Sequence, residues 1–89
     1  MIVTVTPNPS IDRTVTLPAQ LTRGAVHRVT SVTNQAGGKG VNVARALTLA
    51  GVDTLAVLPA VANDPLTTAL QAIAVPFQVV PTLEPARIN

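Results

Sequence analysis

The strongest constraint on this chain is a glycine- and lysine-containing loop that runs directly into an amphipathic helix, AGGKGVNVARAL at residues 36–47. Its glycines allow a tight turn and let the backbone approach a ligand without a Cβ atom in the way. The first amide groups of the helix have no partner within it, so they can hold an anion or a polar oxygen. Lys39 adds a positive charge, and Asn42 lies in the first turn, where side chains point back toward the loop. The alternative is a glycine-rich loop that only starts a helix.

Two better-known phosphate-binding loops do not match this segment. A P-loop needs a glycine where this chain has Thr33, and a serine or threonine after the lysine, where it has Gly40. A dinucleotide-binding fingerprint that starts at Gly38 needs glycine or alanine where this chain has Val43. A nucleotide-binding module built on this loop is therefore the weakest functional hypothesis.

The chain alternates predicted strands and helices, as α/β proteins do. Residues 2–6 form a β-branched strand that ends at Pro7-Asn8-Pro9, because proline has no N–H for the ladder. Residues 54–58 form a continuous apolar strand, and residues 77–80 form a third. A continuous apolar strand predicts a parallel sheet that is buried on both faces.

Two helices are predicted between these strands. The first covers residues 39–50, and Gly51 is placed to end it in the left-handed conformation. Its predicted apolar stripe consists of Val43, Ala46, Leu47 and Ala50. The second begins at Asp64, a capping acid, with Pro65 at the first helical position.

A flap is predicted between the first strand and the glycine loop. Residues 13–17 and 25–33 alternate polar and apolar side chains, so we expect them to pair as antiparallel lid strands. One apolar face of this flap must cover a ligand, a partner subunit or both. His27 and Arg28 project to opposite faces, and the simplest expectation for both is solvation.

Composition excludes several classes of function. The net charge is only +2 and the basic residues are scattered, so nucleic-acid binding is not expected. Cysteine is absent and His27 is the single histidine, which excludes thiolate and histidine-rich metal sites and suits a cytoplasmic location. The N-terminus lacks a signal-peptide pattern, and no apolar stretch is long enough to span a membrane. At 89 residues, the chain is one small domain or a piece of one.

The two ends of the chain carry further candidates. Asp12 comes just after the first predicted strand, and ligands of open α/β sheets gather beyond the carboxyl ends of strands. A capping role or an Asx-turn is the alternative for this aspartate. Residues 87–89 have the appearance of a strand that is just beginning.

Four segments resemble the PfkB family of ribokinase-like sugar kinases, and they span the chain in the family's order. They are TPNPSID (6–12), RGAVHRV (23–29), AGGKGVNVARAL (36–47) and ARIN (86–89). The 1-phosphofructokinase branch is the most similar, with tagatose-6-phosphate kinase beside it. The resemblance implies an α/β fold, a ribokinase-like three-layer sandwich with a parallel core sheet and an inserted β-lid. Residues 1–89 would be the N-terminal part of that single kinase domain.

The implied function is the sugar-binding portion of an ATP-dependent kinase that converts D-fructose 1-phosphate to fructose 1,6-bisphosphate. Tagatose 6-phosphate or another sugar is an alternative substrate, and a non-catalytic sugar-phosphate-binding fragment is an alternative function. ATP and Mg would be bound by a C-terminal part that also carries the general base in a GAGD-type motif. The resemblance also implies a homodimer formed through the lid.

The resemblance assigns roles to particular residues of this chain. The substrate-binding residues would be Asp12, Gly37, Gly38, Lys39, Asn42 and Arg87. Asp12 and Asn42 would hold sugar hydroxyls, and Arg87 would help to bind the substrate's phosphate, for which a planar bidentate donor is suited. His27 and Arg28 are candidates for lid contacts. No catalytic residue and no metal ligand is assigned. The loop at residues 59–65 (PAVANDP) departs from the family, which usually has glycines there.

Overall fold

The fold contains six strands and two helices, and the computed structural model describes all residues from 1 to 89. In chain order the elements are β1 (Ile2–Val5), β2 (Ser10–Thr16), β3 (Ser31–Gly37), α1 (Lys39–Leu49), β4 (Thr54–Ala60), α2 (Pro65–Ala72), β5 (Phe77–Pro81) and β6 (Arg87–Ile88). The strands divide into two three-stranded sheets.

The first sheet, here called the core sheet, is parallel throughout and has the strand order β1-β4-β5. Both crossovers step in the same direction across the sheet, so their right-handed connections place α1 and α2 on one face. Along β4 the buried residues alternate with half-buried ones. The prediction that this sheet is buried on both faces is therefore wrong for these residues. Val3, Val5 and Val80 lie on the uncovered face and are half exposed or more.

The second sheet, here called the lid sheet, has the order β3-β2-β6. Strands β2 and β3 pair antiparallel from Ser10↔Gly37 to Thr16↔Ser31, which confirms an antiparallel flap. Its boundaries differ from the prediction, because residues 25–30 are not in a strand and β3 continues to the glycine loop. The alternating side chains of residues 25–29 find no partner strand, whereas the weak strand formers before Gly37 are held by pairing with β2.

The core lies where the helices meet both sheets. Ile11 of the lid sheet and Leu58 of the core sheet belong to one buried cluster with Leu66 and Leu70 of α2. Helix α1 contributes Val41 and Ala44 to this cluster, not the predicted stripe. Val43, the first residue of that stripe, is 51% exposed. The first turn of the helix lies against the backbone of β1, and this contact sets which side of the helix faces the core.

The helix ends agree with the sequence. The Asp64 carboxylate accepts a hydrogen bond from the Leu66 N–H at 2.9 Å, and Pro65 is the first residue of α2. Gly51 follows α1 with φ of +78°, the left-handed conformation expected of it. These features need only local sequence, which explains why they were predictable.

The molecule is extended for its length. Its radius of gyration is 15.3 Å, whereas about 12 Å is typical of a compact chain of this size. The uncovered face of the core sheet and the projecting lid sheet account for the difference. Neither helix has the length and apolar character needed to span a membrane.

We expect the 89-residue chain to be marginally stable and prone to aggregation, because an apolar sheet face is open to solvent. Replacing Val3 and Val80 with threonine should increase the fraction of monomer in size-exclusion chromatography. Leu58→Ala, in the buried cluster, should instead lower the stability by about 2–5 kcal/mol. Reversible two-state unfolding of a soluble wild-type monomer would contradict this expectation.

Candidate functional site

A polar cavity of about 430 Å³ lies at the carboxyl end of β1, between the lid sheet and the N-terminus of α1. Five of the six residues predicted to bind substrate line it: Asp12, Gly38, Lys39, Asn42 and Arg87. These residues come from three separate parts of the chain. The cavity lies where ligands of open α/β sheets usually bind, beyond the carboxyl end of a strand.

Asp12 lies on the polar face of β2, where Ser10 orients its carboxylate. The Ser10 hydroxyl, which is buried, donates a hydrogen bond to Asp12 Oδ1 at 3.1 Å. Gly37, on β3, pairs with Ser10 of β2. A Cβ atom at Gly37 would lie 2.5 Å from Asp12 Oδ2 and 2.9 Å from Ser10 Oγ. Gly37 therefore makes room for the carboxylate, although it does not line the cavity itself.

The other two glycines bring the start of α1 against the end of β1. Gly38, the residue before the helix, has φ of +126° and caps it with no side-chain hydrogen bond. A Cβ atom there would lie 2.6 Å from Thr6 Cγ2. A Cβ atom on Gly40 would overlap Thr6 Oγ1 and lie 2.9 Å from the Val5 carbonyl oxygen. The close approach places the first turn of α1, with Lys39, at the cavity.

Arg87 enters the cavity from β6. This two-residue strand is parallel to β2, with Arg87 opposite Ser10. The Arg87 Nη1 group donates a hydrogen bond to Asn89 Oδ1 at 3.1 Å, and both residues line the cavity. Alternation along an extended segment puts residues two apart on the same face, so Asn89 is positioned to orient the guanidinium group.

The charges of the lining favour a polar anion. Lys39 and Arg87 supply two positive charges against the single carboxylate of Asp12, and Val5 is the only hydrophobic residue among the twelve. Amide, hydroxyl and carboxylate groups beside two cations suit a ligand that carries both hydroxyl and phosphate groups. No group of three or more histidine, cysteine, aspartate or glutamate side chains is placed to hold a metal ion.

The lid candidates lie outside this cavity. His27 and Arg28 belong to the irregular connection between β2 and β3, and neither lines the cavity. His27 Nε2 lies 3.1 Å from the Thr22 nitrogen and 3.0 Å from the Thr22 oxygen, within the same connection. Their lid contacts stay a prediction.

Sequence reasoning missed several lining residues. They are Thr6, Asn8, Ser10 and Asn89, together with Val5 and Pro7. Two of them carried a signal: Ser10 is two residues from Asp12, and Asn89 is two residues from Arg87, so each shares a strand face with a predicted residue. Thr6 had no such signal, because only the packing of α1 brings it to the cavity.

Comparison with known proteins gives consistent results. Over 45 residues, 51% of this chain and 14% of the relative, it is 60% identical to 1-phosphofructokinase from Xanthomonas campestris. Over 56 residues, 63% of this chain and 18% of the relative, it is 45% identical to tagatose-6-phosphate kinase from Staphylococcus epidermidis. No family model matches the chain.

Solved structures match nearly the whole chain. Phosphofructokinase-2 from Escherichia coli, solved in complex with fructose-6-phosphate, superposes with a TM-score of 0.85 at 31% identity. The match covers 98% of this chain and 29% of that protein. The chain belongs to the PfkB family of ribokinase-like carbohydrate kinases. The predicted ribokinase-like α/β fold is thereby confirmed. This PfkB chain spans less than a third of the length of the relatives that it matches.

We expect Gly37→Ala to destabilise the fold by about 1–3 kcal/mol, because the new methyl group overlaps the Asp12 carboxylate and the Ser10 hydroxyl. Ser10→Ala alone should cost about 1 kcal/mol for the lost hydrogen bond. In the double variant the costs should be less than additive, since removing the hydroxyl frees space for the methyl group. Chemical denaturation of the product of the complete reading frame that encodes this chain measures all three. Additive costs would show that Gly37 does not share its space with Ser10.

Proposed function

We propose that this chain supplies the sugar-phosphate-binding part of an ATP-dependent kinase that converts D-fructose 1-phosphate to fructose 1,6-bisphosphate. The observation that carries the proposal is the polar, net positive cavity in which Asp12, Asn42, Lys39 and Arg87 meet. The 60% identity to a 1-phosphofructokinase supports this substrate.

The side chains divide by chemistry. The Asp12 carboxylate only accepts hydrogen bonds, so it holds sugar hydroxyls, and the Asn42 amide bonds a further hydroxyl. Lys39 and Arg87 face the phosphate already present on the sugar. Gly37 and Gly38 keep side chains out of the way, so that the carboxylate and the helix amides can approach the ligand.

The role of these residues is to bind and orient the acceptor. When bound, ATP with Mg supplies the phosphoryl group and neutralises its charge, and such catalysis depends strongly on positioning. The resemblance to the PfkB family places the nucleotide–Mg site and the general base in a C-terminal part of the enzyme. We therefore assign no catalytic base, ATP contact or Mg ligand to residues 1–89.

Tagatose 6-phosphate is a second candidate substrate. The 45% identity to a tagatose-6-phosphate kinase over 56 residues favours it. Both substrates join hydroxyl groups to a phosphate, so the same cavity chemistry serves either one. Steady-state kinetics with each sugar phosphate decide between them, and absence of ATP-dependent turnover of any sugar would favour a non-catalytic binding protein.

We further propose a cytoplasmic homodimer that forms through the lid. On the apolar face of the lid sheet, Val15 and Val32 form a directly opposed pair, and both are about half exposed. Ile11 on the same face is buried in the core, and the hydrogen-bonded Arg13–Asn34 pair lies between it and the two valines. A second lid that covers the two valines would bury them.

We expect Arg87→Ala to lower kcat/KM for fructose 1-phosphate by about a hundredfold, because a charged partner of the phosphate is lost. Activity on unphosphorylated fructose and the KM for ATP should change little. Asp12→Ala should raise the KM for the sugar and lower kcat, since the acceptor hydroxyl is misplaced. Steady-state kinetics of the product of the complete reading frame, with each substrate varied in turn, measure these effects.

Arg13→Ala is the matched control for this test. Arg13 is next to Asp12 on β2 but points to the opposite face, where its Nε donates a hydrogen bond to Asn34 Oδ1 at 3.0 Å. This variant removes the same charge without touching the cavity and should leave the sugar preference unchanged. If Arg87→Ala weakened ATP binding and kept the preference for phosphorylated sugar, the proposed site would be wrong.

We expect Val15→Lys and Val32→Lys to shift the full protein from dimer to monomer, because each places a charge in the proposed apolar contact. Leu49→Lys, at an exposed position of α1, is the control and should leave the dimer intact. Sedimentation velocity measures the oligomeric state of each variant. Lid variants that sediment like the wild type would contradict a lid-mediated dimer.

A further inference from the structure

The Asp64 carboxylate joins two distant parts of the chain. It is buried, with 1% of its surface exposed, and both oxygens accept hydrogen bonds from backbone amides. Oδ1 accepts from the Leu66 N–H at 2.9 Å, and Oδ2 accepts from the Ala86 N–H at 3.0 Å. The first bond caps α2. The second lies outside the helix and holds the residue immediately before Arg87.

The segment that carries Arg87 has few other attachments. Between β5 and β6, Leu83 is almost fully exposed, and the Thr82 N–H donates to the Ala60 oxygen at 3.2 Å. Strand β6 itself is only two residues long. Asn89 fixes its far side through two backbone bonds: its N–H donates to the Ile11 oxygen at 2.8 Å, and its oxygen accepts from the Arg13 N–H at 2.7 Å. The bond from Ala86 to Asp64 anchors the near side of this short strand, where Ala86 also packs against the buried cluster.

We propose that Asp64 is a positioning residue that sets the preference for a phosphorylated sugar by holding Arg87 at the cavity. The proposal rests on the function proposed above for Arg87. Asp64 does not line the cavity, so it acts through the backbone of β6 and not through the ligand. It also gives the glycine-free segment at residues 59–65 a role in the site, although none of these residues lines the cavity.

Capping alone does not require a carboxylate at this position. Asparagine and serine cap helices as well as aspartate does. An asparagine has only one acceptor oxygen. If that oxygen caps α2, the NH₂ group faces the Ala86 N–H, from which it accepts no hydrogen bond. Asp64→Asn therefore keeps the cap and removes the link to Ala86. Asp64→Ser caps as well and is too short to reach both amides.

The experiment combines kinetics with amide exchange on the product of the complete reading frame. For Asp64→Asn, we expect kcat/KM for fructose 1-phosphate to fall about tenfold relative to that for fructose, as for the loss of one ordering hydrogen bond. The KM for ATP should stay within about twofold. Amide exchange of Ala86 and Asn89 should become faster. Asp64→Ser should behave in the same way and serves if the asparagine variant fails to fold.

Thr67→Val is the matched control. The Thr67 hydroxyl donates to the Asp64 carbonyl oxygen at 2.8 Å, in the same turn of α2, but has no bond to Ala86. This variant should lower stability without changing the sugar preference. On the background of Arg87→Ala, Asp64→Asn should cause no further loss of preference, because it acts through the arginine.

Each outcome separates the two proposals. Unchanged exchange of the Ala86 amide in Asp64→Asn would overturn the positioning role. The positioning role would also be overturned if Arg87→Ala abolishes the sugar preference while Asp64→Asn speeds the exchange of Ala86 and leaves that preference unchanged. A third outcome is faster amide exchange at Ala86 and Asn89 together with a preference for phosphorylated sugar that persists in Arg87→Ala. The faster exchange would support the link from Asp64 to β6. The persisting preference would overturn the proposed role of Arg87 as the phosphate ligand.

Discussion

The close contact between the start of α1 and the end of β1 is the constraint on which the candidate site depends. Gly38 and Gly40 leave no room for a Cβ atom beside Thr6 and the backbone of Val5. A side chain at either glycine would lift the helix away from the sheet. Because the helix is seated so closely, its first turn lies at the same edge of the sheet as Asp12. The two glycines thus shape the site because they have no side chain, more than because their backbone is flexible.

The lid sheet connects this site to the core through the alternation of side chains along β2. Ile11 points inward and packs against the helices, and Ala36 opposite it is buried as well. Ser10 and Asp12 point to the other face, toward the cavity. The strand therefore cannot slip by one residue, since a slip would bury the carboxylate and expose the isoleucine. Core packing in this way fixes the register of β2, and this register directs the Asp12 side chain toward the cavity.

Several of the sequence predictions failed where side-chain pattern and tertiary contact disagree. The predicted apolar stripe begins at Val43, whereas α1 buries Val41 and Ala44, because the close contact of its first turn with β1 sets which side of the helix faces the core. The alternation of residues 25–33 predicts a lid strand over that range, but β3 starts at Ser31, where a partner strand exists. The periodicity of apolar residues shows which secondary structure a segment can form. Pairing with a neighbouring strand decides which one it does form.

The sequence by itself determined the features that depend on local chemistry. Prolines end β1 and start α2, Asp64 caps that helix, and the order of strands and helices predicts the parallel sheet. The motifs also identified the PfkB family and five of the residues that line the cavity. Only the tertiary structure decided that Ser10 orients Asp12, that Thr6 lies beneath the glycines, and that Asp64 reaches Ala86 across 22 positions. These contacts join residues through packing and backbone direction, which no spacing along the chain encodes.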